Sequence, residues 1–137
     1  MTAQAKEESL QEIGRAAMNE IRRLVRDLRD ANTAEDETAI GAARDAIQAD
    51  PSSVEVRSPW CASPQSDDYK KPAEYRILLS TGGPATQIVG ELDGCGQPDT
   101  ADLQAQDWFQ PWTDYRHEVD GDYEVLLEYV REFYFGE

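Results

Sequence analysis

Glu74-Tyr75-Arg76-Ile77-Leu78-Leu79-Ser80-Thr81-Gly82-Gly83-Pro84-Ala85-Thr86-Gln87-Ile88-Val89-Gly90-Glu91-Leu92 is the stretch whose reading decides the fold. From Glu74 to Thr81, alternation sets Tyr75, Ile77 and Leu79 on one face and Arg76 and Leu78 on the other, the period of a strand rather than a helix. Gly82-Gly83 supplies the positive φ of a tight turn, and Ala85 to Leu92 returns as the second strand of a hairpin. Downstream, Asp93-Gly94-Cys95-Gly96-Gln97-Pro98 is the next turn, and Ala101 to Trp108 is a further strand with Leu103 and Ala105 facing one way. Three hairpin-linked strands make an antiparallel meander. Upstream, Ser53-Val54-Glu55-Val56-Arg57 alternates briefly and is expected to add a fourth. Pro59, Pro64 and the polar run Ser63 to Asp68 separate it from the hairpin as a long loop, in which Trp60, Cys61 and Tyr69 are the residues suited to packing.

Further out, the period becomes helical. Between about Glu7 and Arg29, Leu10, Ile13, Ala17, Ile21, Leu24 and Leu28 recur at steps of three and four, with Val25 widening the stripe. The other face carries Arg15, Arg22, Arg23, Arg26 and Arg29, crowded toward the C-terminal half where the helix dipole favours cations. Asp30-Ala31-Asn32 breaks the pattern. Thr33 is then expected to cap a second helix, Ala34 to about Ala49, with Ile40, Ala43 and Ile47 inward and Pro51 beyond its end. At the other terminus, Asp120 or Asp122 is expected to cap a last helix with an apolar face of Tyr123, Leu126, Leu127, Val130, Phe133 and Tyr134, running toward Gly136. The expected fold is therefore α+β and single-domain over residues 1–137. Residues 1–50 form a helical hairpin, and residues 51–137 a three- to four-stranded antiparallel sheet with a C-terminal helix packed on it.

The chain of 137 residues carries 28 acids against 13 bases, a formal charge of -15. That balance argues against direct nucleic-acid binding or attachment to an anionic membrane, both of which need clustered Lys and Arg. No stretch approaches a membrane span, and Met1 to Ser9 lacks the features of a signal peptide, so a cytoplasmic location is expected. The charge is segregated. Residues 1–50 hold 11 acids and 7 bases, whereas residues 91–137 hold 13 acids and 2 bases. The aromatic group Trp108, Phe109, Trp112 and Tyr115 lies within this acidic third, either covering the open end of the sheet or presenting a partner surface.

Catalytic chemistry finds little to work with. His117 is the one histidine, and no serine sits in a nucleophile elbow to use it. Cys61 and Cys95 are expected to be free thiols, and a cysteine-dependent enzyme would require one of them to meet His117 in space. Neither glycine cluster matches a phosphate-binding loop, because strands and not helices follow. Asp120-Gly121-Asp122-Tyr123-Glu124 has the composition of a calcium loop but not its register, and a helix cap explains it better. No cofactor and no metal are expected.

The run Glu74 to Pro84, Gly90-Glu91-Leu92-Asp93, Leu103-Gln104-Ala105-Gln106-Asp107-Trp108, Pro111-Trp112 and the ending Phe133-Tyr134-Phe135-Gly136-Glu137 together resemble small acidic proteins of bacteriophages, prophages and other mobile elements. The resemblance covers roughly residues 54–137. Proteins of that kind include anti-CRISPR proteins and other inhibitors of host defence, which implies a non-enzymatic inhibitor acting in the host cytoplasm. Its partner would be a host protein or ribonucleoprotein with a basic nucleic-acid-binding groove, which fixed carboxylates enter as a partial DNA mimic. The residues expected to make the contact are Asp99, Asp102, Asp107, Asp114, Glu124, Glu128 and Glu132, with Trp112 as an anchor. The alternative is a small phage structural, assembly or regulatory protein whose arginine-bearing helix pairs with another helix, including a homodimer.

Overall fold

The computed structural model describes residues 3–58, 60, 71–108 and 110–135. Among these residues three helices, α1 (Ala3–Ala34), α2 (Glu37–Ala49) and α3 (Asp122–Val130), lie with a five-stranded antiparallel sheet of order β1-β2-β3-β4-β5. Its strands are β1 (Ser53–Arg57), β2 (Glu74–Ser80), β3 (Pro84–Glu91), β4 (Asp102–Asp107) and β5 (Thr113–Asp114). The fold is α+β, a meander with a helical layer on one face. Among the described residues no helix is long and apolar enough to cross a membrane.

The meander follows its side-chain alternation. Val54, Ile77, Ile88 and Leu103 stand in one cross-strand row, and the last three are buried against α1 and α3 in the core that Tyr75 also joins. Gly82 takes φ 123 in the hairpin turn, as its sequence requires. Beyond the expected strands, β5 pairs Thr113 and Asp114 with Ala105 and Gln104.

The helices depart from the expected boundaries for identifiable reasons. Asp30-Ala31-Asn32 does not end α1, because Ala31 is buried and supports another turn. The turn comes at Glu35, with φ 53. Asp36, rather than Thr33, caps α2 by accepting the Ala39 N–H at 3.2 Å. Inside α1 the buried stripe includes Met18, fully enclosed, while Ile13 and Ala17 are only half-buried. Gly14 lets the helix approach the sheet: a Cβ there would stand 2.6 Å from Cδ1 of buried Tyr115.

In α3 the phase differs. Val125, Leu126, Tyr129 and Val130 are buried, whereas Tyr123 and Tyr134 are exposed. The helix stops at Val130, well before Gly136. Neither Asp120 nor Asp122 caps it. Gly121, at φ 90, occupies the cap position without a side-chain bond. Asp122 is instead 2% exposed and held by Arg22, with Nε to Oδ1 at 2.8 Å and Nη2 to Oδ2 at 2.7 Å.

Candidate functional site

The open face of the sheet is built by the strand residues that alternate with the core. On β4, Leu103 and Ala105 turn inward, which puts Asp102, Gln104 and Gln106 on the side away from the helices. Register then sets Asp102 beside Val89 and Arg76, and Asp114 beside Gln104 and Gln87. A chain of amides crosses three strands here. Gln87 Nε2 donates to Gln104 Oε1 at 2.8 Å, and Gln104 Nε2 donates to Asp114 Oδ1 at 2.9 Å. A shallow cleft of about 530 Å³ opens on this side, with Arg57, Arg76, Val89, Glu91 and Asp102 in its lining. Partial burial, with Asp114 nearby, pushes the Asp102 carboxyl above the ordinary carboxylate range.

The eight residues expected from sequence do not form one surface. Asp102 and Asp114 share the open face. Asp99, exposed, and Asp107, half-buried opposite Pro84, flank them at the two ends of β4. Among the described residues none of these four carboxylates has a cation at ion-pair distance. Trp112 is half-buried in the connection before β5. Glu124, Glu128 and Glu132 belong to the helical layer on the other side of the sheet, where only Glu124 stands exposed without an ion pair. Glu128 pairs with Arg29 at 2.6 Å, and Glu132, past the end of α3, pairs with Arg44 at 3.4 Å.

Those pairs belong to a larger arrangement that sequence reasoning missed. Arg15, Arg22 and Arg29 are seven residues apart and so form one stripe along α1. They bind Glu118, Asp122 and Glu128 in the same order, so the segment 118–128 runs parallel to the helix. The Arg15 hydrogen bonds, from Nε at 2.5 Å and Nη2 at 2.9 Å, lower the Glu118 carboxyl to about 2. Three of the five arginines on that face of α1 are thus engaged by the C-terminal segment, while Arg23 pairs with Glu20 and Asp27 on its own helix. The signal was present in the seven-residue spacing of the arginines.

The remaining chemical candidates have the following surroundings. His117 makes edge contacts with Tyr115 and Tyr123, at ring-centroid distances of 5.8 and 6.2 Å. Cys95 is an exposed free thiol, and Cys61 lies outside the described residues. In the Gly94-Cys95-Gly96 turn, Asp93 Oδ1 accepts the N–H groups of Cys95 and Gln97 at 2.8 and 3.0 Å, and these bonds hold its carboxyl below the usual range. The loop is a turn closed by its own carboxylate. Asp122, bonded to Arg22, is likewise engaged and is not poised for calcium. Among the described residues no three His, Cys, Asp or Glu side chains are grouped to hold a metal ion.

No protein family, curated protein or solved structure matches the chain. Functional assignment therefore rests on the surface itself. Trp108 adds the one strained feature beside it, with a backbone at φ 48, an indole against Gly83 and 72% of its surface exposed.

Proposed function

We propose that the protein is a non-enzymatic, phage-type inhibitor that binds a basic surface on a host nucleic-acid-handling defence complex, in the manner of an anti-CRISPR protein with partial DNA-mimic character. The observation that supports this reading is the contrast between two sets of carboxylates. Those at Glu118, Asp122, Glu128 and Glu132 are matched by arginines within the chain. Those at Asp99, Asp102, Asp107 and Asp114 are not matched among the described residues; Asp102 and Asp114 stand on the uncovered sheet face, Asp107 ends β4 in the phase of Leu103 and Ala105, and Asp99 precedes β4. Fixed carboxylates without an internal cation attract a basic groove and displace its counterions or its nucleic acid. The contact is therefore assigned to Asp99, Asp102, Asp107 and Asp114, with Glu124, Glu128 and Glu132 outside it.

The test measures binding of purified protein to CRISPR effector complexes at low and high salt. Wild-type binding is expected to weaken as salt rises. The variant with Asp99, Asp102, Asp107 and Asp114 all changed to Asn is expected to lose at least about tenfold in affinity, since rim charges each contribute modestly and here act together. Glu124→Gln is expected to bind as wild type. Binding that ignores both salt and the four substitutions would overturn the assignment, as would failure to bind any effector.

A further inference from the structure

The two edges of the sheet are treated differently. At the β5 side, Gln11 from α1 caps the chain just past the edge strand with its carboxamide: Nε2 donates to the Arg116 carbonyl at 2.7 Å, and Oε1 accepts the Arg116 N–H at 3.1 Å. These are the two bonds a neighbouring strand would make. At the other edge, β1 pairs with β2 alone, and among the described residues no backbone hydrogen bond is made on its outer side. Val54 and Val56 there are 38% and 48% exposed, on the face of the sheet that the helices cover elsewhere. An open edge with exposed valines is a template for another strand.

The charge pattern of β1 selects which strand fits. Two antiparallel copies related by a two-fold axis must set one residue opposite itself, because side chains on opposed residues share a face. An axis at Glu55 would oppose two glutamates. An axis at Val54 would draw Pro51 and Ser52 into the ladder, outside the extended segment. An axis at Val56 opposes valine to valine and puts each Glu55 opposite Arg57 of the other copy. The resulting row extends pairs already present, since Arg57 bonds Glu74, and Arg76 Nη2 bonds Glu55 at 3.0 Å. Across the junction it reads Glu74, Arg57, Glu55 of the second copy, Arg76 of the second copy, with the sign alternating at every step.

We infer that β1 is a self-association edge, where a second copy of this chain adds antiparallel about Val56 to make one continuous ten-stranded sheet. The inference is independent of the proposed inhibitor role, as the acids assigned to that role lie on and around β4 and β5, at the far side of the sheet. A five-residue edge makes a small interface, so the dimer is of the weak, concentration-dependent kind.

Sedimentation over a dilution series tests it with charge reversal. In Glu55→Arg, positions 55 and 57 are both positive; in Arg57→Glu, both are negative. Each variant alone therefore opposes like charges twice, and its dimer is expected to weaken about tenfold or more. An equimolar mixture opposes unlike charges twice, and is expected to associate within about threefold of wild type. Val56→Lys, which sets two ammonium groups on the axis, is expected to be monomeric throughout, and far-UV circular dichroism checks that each variant is folded. Three results overturn the inference: a wild type that stays monomeric at every concentration, variants that dimerise as the wild type does, or a mixture that fails to recover.

Discussion

Replacing Arg22 with methionine strips the guanidinium from the most enclosed ion pair in the described structure. The Asp122 carboxylate, 2% exposed, would lose two charge-assisted hydrogen bonds of 2.8 and 2.7 Å. Each such bond contributes about 1.5–3 kcal/mol. The Arg22 side chain is 28% exposed, so water reaching the vacated site offsets part of the loss. The expected net cost is about 3 kcal/mol, near the low end for breaking a buried pair. For a chain of this size that lowers the melting temperature by roughly 10 °C. Asp122→Leu removes the buried charge itself and should cost only about 1–2 kcal/mol, while the double variant should lie close to Asp122→Leu alone. Urea denaturation of all four proteins, followed by circular dichroism, gives the coupling energy, expected at about 2–3 kcal/mol. If the two single costs simply add, or if Arg22→Met costs less than about 1 kcal/mol, the pair does not hold the C-terminal segment to α1 and the reasoning is refuted.

Three other perturbations probe separate parts of the fold. Gly90→Ala should cost about 2–3 kcal/mol, because its Cβ would collide with the Thr100 carbonyl oxygen, which the Tyr75 hydroxyl holds at 2.5 Å. Thermal melting checks it, and an unchanged transition would mean that the β3–β4 turn yields easily. Glu118, lowered from 4.5 to about 2, contributes stability that is present above its unfolded value and lost as pH falls through its folded one. Melting temperature should therefore decline between pH 4.5 and 2, and Glu118→Gln should make that decline shallower. Tyr129 has the opposite linkage: burial and its bond to Asp50 at 2.7 Å raise the phenol above its ordinary 10.0, so its contribution is lost as pH rises beyond that value. Tyr129→Phe should cost about 1 kcal/mol at neutral pH and reduce the alkaline sensitivity, as measured by melting across that range.

The sheet was legible because β2 alternates and a Gly-Gly turn joins it to β3. The alternation that turns Leu103 and Ala105 inward sets Asp102 on the outer face, apart from the helix acids with which the sequence alone groups it. Strand β5 was not legible, since two residues carry no periodicity. In α3 the apolar residues Val125, Leu126, Leu127, Tyr129 and Val130 encircle so much of a nine-residue helix that phase is ambiguous. The buried contact of Asp122 with Arg22 settles it, and that partner lies 100 residues away. The same distance explains why the acidic helix looked like a free surface. Glu128 and Glu132 have the spacing of an exposed stripe, but Arg29 and Arg44 neutralise them from another part of the chain.

The stripe of arginines on α1 also has a temporal side. Its three ligands follow at separations of 103, 100 and 99 residues, so during synthesis the helix is made long before the groups that meet its charges. Until then its apolar stripe and its guanidinium groups are both available to anything nearby, including the anionic ribosome. Long-range closure of this kind slows folding, and emergence of the segment 118–128 is the event that withdraws α1 from such encounters.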